Sequence, residues 1–375
     1  MIQPNSMKYR FLEMIAISGE FPSSQIGRLF SSPSYAEKMI TQLKADGFIR
    51  LHYRDKLRGY RLTKRAKDIL MENNPKRFDF YLSGNTETNR IRSDPPRRMR
   101  LHQKAETYLT LQNSGIPVFP DEKPGIFHGE SSPVALQDLP IFYSSREIKT
   151  LPYDTTKIRN SRSMGILLGP ACVYALYNTG SALMKWEYKT EVRLNALMQH
   201  HLQGRPYTGR PNIRAILTGT DMETAFHLMT STGGYKKSLF MLDTSFEHFH
   251  YLPNAPEGEL LLKLLTAPDQ MLQLNRLLLS DMLPAKEDLP IEHDALSAEG
   301  KPVLLAYDFD MQRITRFNAG LHAYRKPGII ICFDFQLPCL KKYITADIQI
   351  SCIDLHKFKR SFLYNSNIGN SKKEG

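Results

Sequence analysis

The sequence predicts an α+β protein in which a small, basic, helix-rich N-terminal segment precedes a larger α/β body built on a mixed sheet. Three observations lead to this prediction. Helical and strand-like periodicities alternate along the chain. The surplus of positive charge is confined to the first third of the chain, and a stretch of arginines and breaker residues separates that third from the rest. We therefore expect two units with different roles.

The charge distribution favours a segment that binds a polyanion. The 375 residues include 50 lysines and arginines and 38 aspartates and glutamates, a formal net charge of +12. Residues 1–110 hold 21 of the cations and 11 of the acids, a net +10, whereas the other 265 residues have a net charge of +2. Charge that serves only solubility would be spread more evenly. A basic block on a near-neutral body is typical of nucleic-acid binding.

Several function classes are excluded by what the sequence lacks. No stretch approaches about 18 consecutive apolar residues, which argues against a membrane span. The first ten residues do not have the charged-then-apolar order of a secretory signal. The four cysteines are far apart and form no CxxC pair, so reduced thiols are expected. The sequence therefore predicts a cytoplasmic protein with no membrane partner and no cofactor.

Three helices are predicted at the N-terminus. Apolar spacing predicts a helix over residues 7–18, a short one over 22–30 and a third over 35–46 that ends at Gly47. Ser34 is expected to cap the third helix, with Glu37 in the capping-box position. If Ala36, Ile40 and Leu43 form its buried stripe, the helix presents an outward face of hydrogen-bonding residues. Those residues are Ser34, Tyr35, Lys38, Thr41 and Gln42.

A basic hairpin follows. Residues 48–53 and 60–62 are predicted strands, residues 54–59 form the turn, and Thr63 is expected to cap a fourth helix that reaches Met71. This order of elements over residues 7–72 resembles a winged helix-turn-helix. The resemblance implies that the third helix enters the major groove of duplex DNA and that the hairpin cations Arg54, Lys56 and Arg58 contact phosphate or the minor groove. Winged helices that serve only protein contacts are the alternative.

The next segment is predicted to be a basic connector. Breakers interrupt the pattern between residues 76 and 98, and a helix begins near Pro96, with Met99, His102, Ala105, Tyr108 and Leu109 at helical spacing. Two interpretations stay open for Arg97, Arg98 and Arg100: an extension of the DNA footprint, or a solvated linker whose helix packs on the body. The predicted units are a winged helix domain (1–75), the connector and its helix (76–115), the α/β domain (116–365) and a flexible tail (366–375).

The body alternates apolar strands with amphipathic helices, which predicts one sheet that is buried on both faces. No internal repeat is visible in the sequence. Strands are predicted over residues 165–168, 172–177, 213–217, 239–242, 248–252, 303–307, 329–333 and 348–353. Helices are predicted over residues 186–202, 221–229, 257–265, 268–279, 311–321 and 338–343.

The body carries three candidate chemical sites. Asp308 and Asp310 follow an apolar strand and could bind magnesium. The segment over residues 302–310 resembles the aspartate motif of the toprim fold, although Gly219 and Thr220 stand where that fold has a glutamate; the alternative is a helix-capping aspartate pair. Residues 187–189 form an ExK triplet as in restriction-type nucleases, which need an earlier acid, and the nearest is Asp154. Residues 248–250 match the histidine pair of HUH relaxases.

The whole layout is similar to the replication-relaxation family of plasmids and conjugative elements. The winged helix that ends at Met71, the helix over residues 100–111, and the strand and helix around residues 328–338 carry this resemblance. It implies a duplex DNA partner and an accessory part in replication or transfer of a bacterial mobile element. The body is then expected to mediate protein contacts or homodimerisation rather than catalysis. Two alternatives stay open: a transcriptional regulator with a sensing body, and a magnesium-dependent nuclease or nicking enzyme that uses Asp308 and Asp310.

Overall fold

The structure, a computed structural model, describes residues 2–4, 6–30, 32–91, 93–127, 135, 138–148, 161–204, 206–234 and 238–360. The fold belongs to the α+β class, as predicted, with helices and mixed sheets. None of the helices in the described ranges is long and apolar enough to cross a membrane. The predicted tail (366–375) and Asp154 lie outside the described residues.

The N-terminal elements begin with three helices and a hairpin. They are α1 (Met7–Ser18), β1 (Phe21–Pro22), α2 (Ile26–Leu29), α3 (Pro33–Ala45), β2 (Ile49–Arg54), β3 (Leu57–Leu62), α4 (Lys64–Asn73), α5 (Pro75–Leu82) and α6 (Pro95–Asn113). β1, β3 and β2 form a three-stranded antiparallel sheet in that spatial order. The Thr63 side chain accepts a hydrogen bond from the amide of Ala66, so it caps α4 as predicted.

The body contains two five-stranded sheets. The first is formed by β4 (Ile141–Ser144), β5 (Gly165–Leu168), β6 (Val173–Gly180), β7 (Ile213–Gly219) and β8 (Phe249–Pro253). The second is formed by β9 (Leu283–Pro284), β10 (Ala295–Leu296), β11 (Pro302–Leu305), β12 (Gly328–Phe333) and β13 (Ile348–Ile353). The helices are α7 (Ser145–Ile148), α8 (Tyr188–Leu202), α9 (Met222–Met229), α10 (Pro256–Leu265), α11 (Pro268–Leu278), α12 (Met311–Tyr324), α13 (Leu337–Tyr343) and α14 (Leu355–Phe358).

The two sheets share one topology, which the sequence did not reveal. In each sheet, three antiparallel strands are followed by a helix, a parallel strand, a second helix and another parallel strand. The crossover helices are α8 and α9 in the first sheet and α12 and α13 in the second, and α9 packs against α13. The expectation of a single sheet was therefore wrong, and the shared topology is a structural repeat without a visible repeat in the sequence. The order of the strands repeats although the amino-acid sequence does not. Many different apolar sequences can form the same pattern of hydrogen-bonded strands.

The first sheet is buried on both faces, as predicted, and so are β11 and β12 of the second sheet, because alternate residues of these strands enter two different hydrophobic cores. In the second sheet, β9 is exposed and β13 is only partly buried. In β12, Ile331 and Phe333 contribute to one core, whereas Ile330 and Cys332 contribute to the other. The first core joins the sheets to the N-terminal elements, α6, α10 and α11. The second core joins them to α8, α9, α12 and α13. The N-terminal elements thus form part of the layer that covers one face of the sheets.

The predicted connector is helical and packed. Asn74 caps α5 by accepting from the amide of Arg77, Pro75 occupies the first turn, and α5 buries Phe78, Tyr81 and Leu82. α6 begins one residue before the predicted start and contacts both α1 and β6. The expectation of an interrupted pattern over residues 76–98 was therefore wrong for α5. Met99, which was placed on the buried stripe of α6, is 44% exposed.

One predicted strand of the body is absent. Residues 239–242 make a single bridge between Leu239 and Lys185 and form no ladder. Phe240 is fully buried, but Met241 is exposed. The apolar run therefore anchors a loop against the second core.

Candidate nucleic-acid interface

The outward face of α3 is exposed as the sequence predicts. α3 buries Ala36, Met39, Ile40 and Leu43. All five predicted face residues are exposed: Ser34, Tyr35, Lys38, Thr41 and Gln42. Glu37 is exposed on the same helix, so the surface of α3 is not free of acids. The face offers hydroxyl, amide, phenol and ammonium groups, which can donate to base edges and to phosphates.

The cap of α3 differs from the prediction. The side chain of Ser32, not that of Ser34, accepts a hydrogen bond from the amide of Tyr35, and Pro33 occupies the first helical position. Proline suits this position because the missing amide has no partner there in any helix. The helix therefore starts earlier, and Ser34 lies on its first turn as part of the exposed face.

The hairpin turns tightly over two residues. Arg54 pairs with Leu57, and the turn residues Asp55 and Lys56 have φ angles of 53° and 61°. Two successive positive φ angles are those of a type I′ turn, whose twist matches that of the flanking strands. The predicted turn over residues 54–59 was thus too long, and β3 starts three residues earlier than expected. The shorter turn extends the paired strands to the tip.

The tip of the hairpin carries positive charge in contact with solvent. Arg54, Lys56 and Arg58 are all exposed. Asp55 is the acid at the tip, and its carboxylate lies 3.4 Å from Arg54 Nε in an exposed pair. Tyr53 is 68% exposed beside these cations. We did not single out Tyr53 from the sequence, although strand alternation would place it on the face opposite His52.

A buried ionic cluster lies beneath the hairpin. Glu20 accepts hydrogen bonds from Arg61 Nε at 2.7 Å and from Arg98 Nη2 at 2.6 Å, and His102 Nε2 lies 2.8 Å from Glu20 Oε1. Arg98 and Glu20 are fully buried. The expectation that Arg98 contacts DNA phosphate was therefore wrong. Its charge is paired with a carboxylate inside the protein.

Arg98 fixes the hairpin through its backbone. Its guanidinium donates to the carbonyl oxygens of Arg54 at 2.7 Å, Leu57 at 3.0 Å and His52 at 3.3 Å. These carbonyls belong to the two strands on either side of the tip. The first turn of α6 is thereby attached to β2 and β3. A single side chain thus holds the exposed cations at a defined place.

The cluster keeps Glu20 ionised. Burial alone would raise the pKa of this carboxyl group, but hydrogen bonds from His102, Arg98 and Arg61 lower it to about 2. Burial lowers the pKa of Arg61. Gly59 allows this packing, because a Cβ atom there would lie 2.5 Å from Glu20 Oε1. The cluster is therefore a tightly packed element of structure.

The other two predicted arginines of α6 are at the surface. Arg97 and Arg100 are exposed, and Arg97 Nε lies 3.6 Å from a carboxylate oxygen of Asp94. Arg100 lines a cleft between α6 and the body. The packed-helix interpretation thus describes α6 and Arg98, whereas Arg97 and Arg100 keep charges that are available to a polyanion.

Asp308 and Asp310 meet the two histidines of residues 248–250 where the sheets join. His250 forms a bridge with Asp310, and the amide of Tyr251 donates to the carbonyl of Phe309 at 3.1 Å. His248 Nδ1 lies 2.6 Å from Asp310 Oδ2, and His250 Nδ1 lies 3.6 Å from a carboxylate oxygen of Asp308. The sequence showed both motifs but not that β8 would lie beside the segment after β11.

The side chains of Asp308 and Asp310 contact other groups of the protein. Asp310 caps α12 by accepting from the amide of Gln312 at 3.1 Å, which is the capping alternative. Burial alone would raise the pKa of Asp310, but the hydrogen bond from His248 and the nearby imidazoles hold it well below its usual range. Burial raises the pKa of Asp308. Across the described ranges, no group of three or more histidines, cysteines or acids is arranged to hold a metal ion.

The nuclease-like motifs are dispersed. The ExK triplet lies at the start of α8, with Glu187 preceding the helix and Lys189 exposed on its first turn. Gly219, at the position of the toprim glutamate, ends β7, whereas Asp308 follows β11, which belongs to the other sheet. They therefore do not meet at neighbouring strand ends.

No protein-family model matches the chain, and neither a curated protein nor a solved structure matches it.

Proposed function

We propose that the N-terminal elements form a winged helix-turn-helix that binds duplex DNA, with α3 in the major groove and the hairpin tip on the backbone. The observation that carries this proposal is the pairing of an exposed polar helix face with an exposed cationic hairpin. The five face residues of α3 and the three cations of the tip are all exposed. The order α1, β1, α2, α3, β2, β3 and the sheet order β1-β3-β2 agree with such a module.

The two surfaces suit two different kinds of contact. Sequence is read in the major groove by side chains that donate and accept hydrogen bonds, such as Lys38 and Gln42. Phosphates are bound by cations without regard to sequence, and the tip supplies Arg54, Lys56 and Arg58. The buried contacts of Arg98 hold the strands that carry these cations. The hairpin backbone therefore loses little conformational entropy when it binds.

The proposed role is that of a cytoplasmic accessory protein in replication or transfer of a bacterial mobile element, as the family resemblance implies. The body would then contact protein partners or a second copy of the chain. A transcriptional regulator with the same DNA-binding module is the alternative. The magnesium-dependent alternative receives no support from the described residues. DNA footprinting across origins of replication or transfer and promoters separates the first two roles.

The DNA-binding proposal is tested by measuring affinity for duplex DNA over a range of salt concentrations. Replacing Arg54, Lys56 and Arg58 by alanine should weaken all sequences alike and lower the slope of log K against log salt by about 0.9 for each phosphate that the hairpin no longer neutralises. Lys326→Ala, an exposed cation after α12, is the matched control. An unchanged slope in the triple variant would show that the hairpin does not contact DNA.

The role of α3 is tested separately. Lys38→Ala and Gln42→Ala should each reduce discrimination between preferred and unrelated sequences by about 1–3 kcal/mol if the side chain makes a bidentate base contact. The salt slope should change little for Gln42→Ala, since that side chain is neutral. Sequence preference that survives every substitution on the α3 face would refute the assignment of α3 as the reading helix.

A further inference from the structure

A cleft of about 840 Å³ separates α6 from the body. Three strand ends meet at this cleft, since Ser144 ends β4, Met164 precedes β5 and Gly180 ends β6. β6 is also where the sheet changes from antiparallel to parallel pairing. In open α/β sheets, ligands commonly bind beyond the carboxyl ends of the strands. The cleft thus lies beyond the carboxyl ends of two strands of the first sheet, β4 and β6.

The lining of the cleft is strongly cationic. The side chains of Arg100, Lys104, Arg146, Arg162 and Lys185 line it, whereas Glu87 is the one carboxylate that the described residues contribute to the lining. Lys104 Nζ lies 3.6 Å from that carboxylate. The net charge of these lining side chains is therefore +4, although the body as a whole is close to neutral. Positive charge that is concentrated inside a concave surface attracts an anionic ligand.

The remaining lining offers hydrogen bonds and one unsatisfied hydroxyl group. Serine, threonine and asparagine side chains from β6 and from the segments before α6 and β5 face the same space. Tyr81 also lines the cleft and is 2% exposed, and its hydroxyl oxygen has no hydrogen-bond partner among the described residues. A buried polar atom without a partner is costly, so a ligand that bonds to it gains affinity.

We propose that this cleft binds single-stranded DNA through its phosphates. The inference rests on the proposed function, because it takes nucleic acid as the partner. The volume lies within the range of about 300–1,000 Å³ that is usual for small-ligand sites, so the cleft accommodates a few nucleotides and not a duplex. Cationic grooves that follow the backbone are the common feature of proteins that bind single strands.

The geometry also connects the cleft to the hairpin. Arg98 holds the hairpin strands from the first turn of α6, and Arg100 lines the cleft two residues later. The same part of α6 therefore contributes to the support of the hairpin and to the lining of the cleft. The protein is thereby suited to a junction between duplex and single strand, with each part of the substrate on its own surface.

The experiment compares three fluorescent probes with the full-length protein: a duplex, the same duplex with an oligothymidylate tail, and the oligothymidylate alone. Three cleft charges are reversed in one variant (Arg100→Glu, Arg162→Glu, Lys185→Glu). This variant should bind the tailed duplex no more tightly than the plain duplex, and its affinity for the single strand should fall at least about tenfold. The single-strand salt slope should fall by about 2, at about 0.7 for each of three phosphate contacts. Affinity for the duplex should fall by less than affinity for the single strand, because α3 and the hairpin tip are unchanged.

The controls separate the two proposals. Lys326→Glu and Lys341→Glu reverse exposed charges at α12 and α13 that do not line the cleft, and they should leave binding of the tail intact. The hairpin triple variant should lose duplex affinity while it retains the single strand. A native protein that binds the single strand but not the duplex would overturn the proposed function and leave the cleft proposal standing.

Two results would overturn the cleft proposal. The first is single-strand binding by the cleft variant equal to that of the native protein. The second is competition by thymidine monophosphate as effective as that of the oligonucleotide, because the cleft would then be a site for a free nucleotide. Far-ultraviolet circular dichroism and thermal unfolding establish that the variants are folded, and a photoreactive thymidine in the oligonucleotide should crosslink to residues that line the cleft.

Discussion

Replacement of Glu20 by glutamine tests the buried cluster beneath the hairpin. The variant keeps the size of the side chain but removes the one negative charge that pairs with Arg61, Arg98 and His102. The pKa of Glu20 is lowered from 4.5 to about 2 in the folded protein. At about 1.36 kcal/mol for each pKa unit, this difference corresponds to about 3 kcal/mol of stability at neutral pH. Loss of one partner from a buried ion pair commonly costs about 3–5 kcal/mol.

The pH dependence distinguishes the ionic contribution from packing. The folded-state pKa is below the unfolded value, so the stabilisation is fully present above about pH 4.5 and is lost as the pH falls towards 2. We expect the free energy of unfolding of Glu20→Gln to be lower than that of the native protein by at least about 3 kcal/mol at pH 7. This gap should narrow steadily below about pH 4.5.

The assay is urea unfolding followed by far-ultraviolet circular dichroism at a series of pH values. Glu72→Gln, at an exposed position of α4, is the matched control and should change the free energy of unfolding by less than about 0.5 kcal/mol. A gap between Glu20→Gln and the native protein that stays constant from neutral to acid pH would refute the ionic origin of the stabilisation.

Two further substitutions test packing and burial. Gly59→Ala should destabilise the protein by about 1–3 kcal/mol, because the new Cβ atom would lie 2.5 Å from Glu20 Oε1. Gly27→Ala is the control and should not destabilise the protein, because no atom lies within 4 Å of the new Cβ atom. The two variants are compared by thermal unfolding. Burial raises the pKa of Glu191 from 4.5 to about 7, so the native protein loses stability as the pH rises through this interval. The free energy of unfolding of Glu191→Gln should therefore rise by about 3 kcal/mol relative to that of the native protein as the pH goes from about 4.5 to about 8. A difference between the two proteins that is the same at both pH values would contradict this prediction.

Helix caps and the spacing of apolar residues were enough to predict the helices and strands whose formation depends on neighbouring residues. The cap Thr63 and the spacing of Phe11, Leu12 and Ile15 were sufficient to place α4 and α1. β13 was predicted with the bounds that the structure shows, because its apolar residues are flanked by polar ones. α5 had signals of the same kind in Asn74 and Pro75, and it was missed because the charged residues around them resembled a solvated linker.

Arg98 shows why the buried cluster could not be predicted. It lies four residues before His102 and seven before Ala105, so helical spacing places it on the buried stripe of α6. Charged residues are almost never fully buried unless they are paired, and the partner Glu20 is 78 residues away in the chain. The sequence offers no local sign of that pairing. The same reasoning applies to Asp310 and His248, which are 62 residues apart in the chain and lie next to strands of different sheets.

Under the proposed function, the position of α6 has a consequence for any larger assembly on DNA. This helix belongs to the core that covers one face of both sheets, and it also holds the hairpin, so the N-terminal elements have no free hinge at α6 about which to swing. A partner bound to the body would therefore always lie on the same side of the double helix relative to the bound site. Because B-DNA completes a turn in about 10.5 base pairs, moving the partner's own site by half a turn would place it on the far side of the duplex. Rotational phasing, rather than distance alone, would then determine which neighbours this protein can engage.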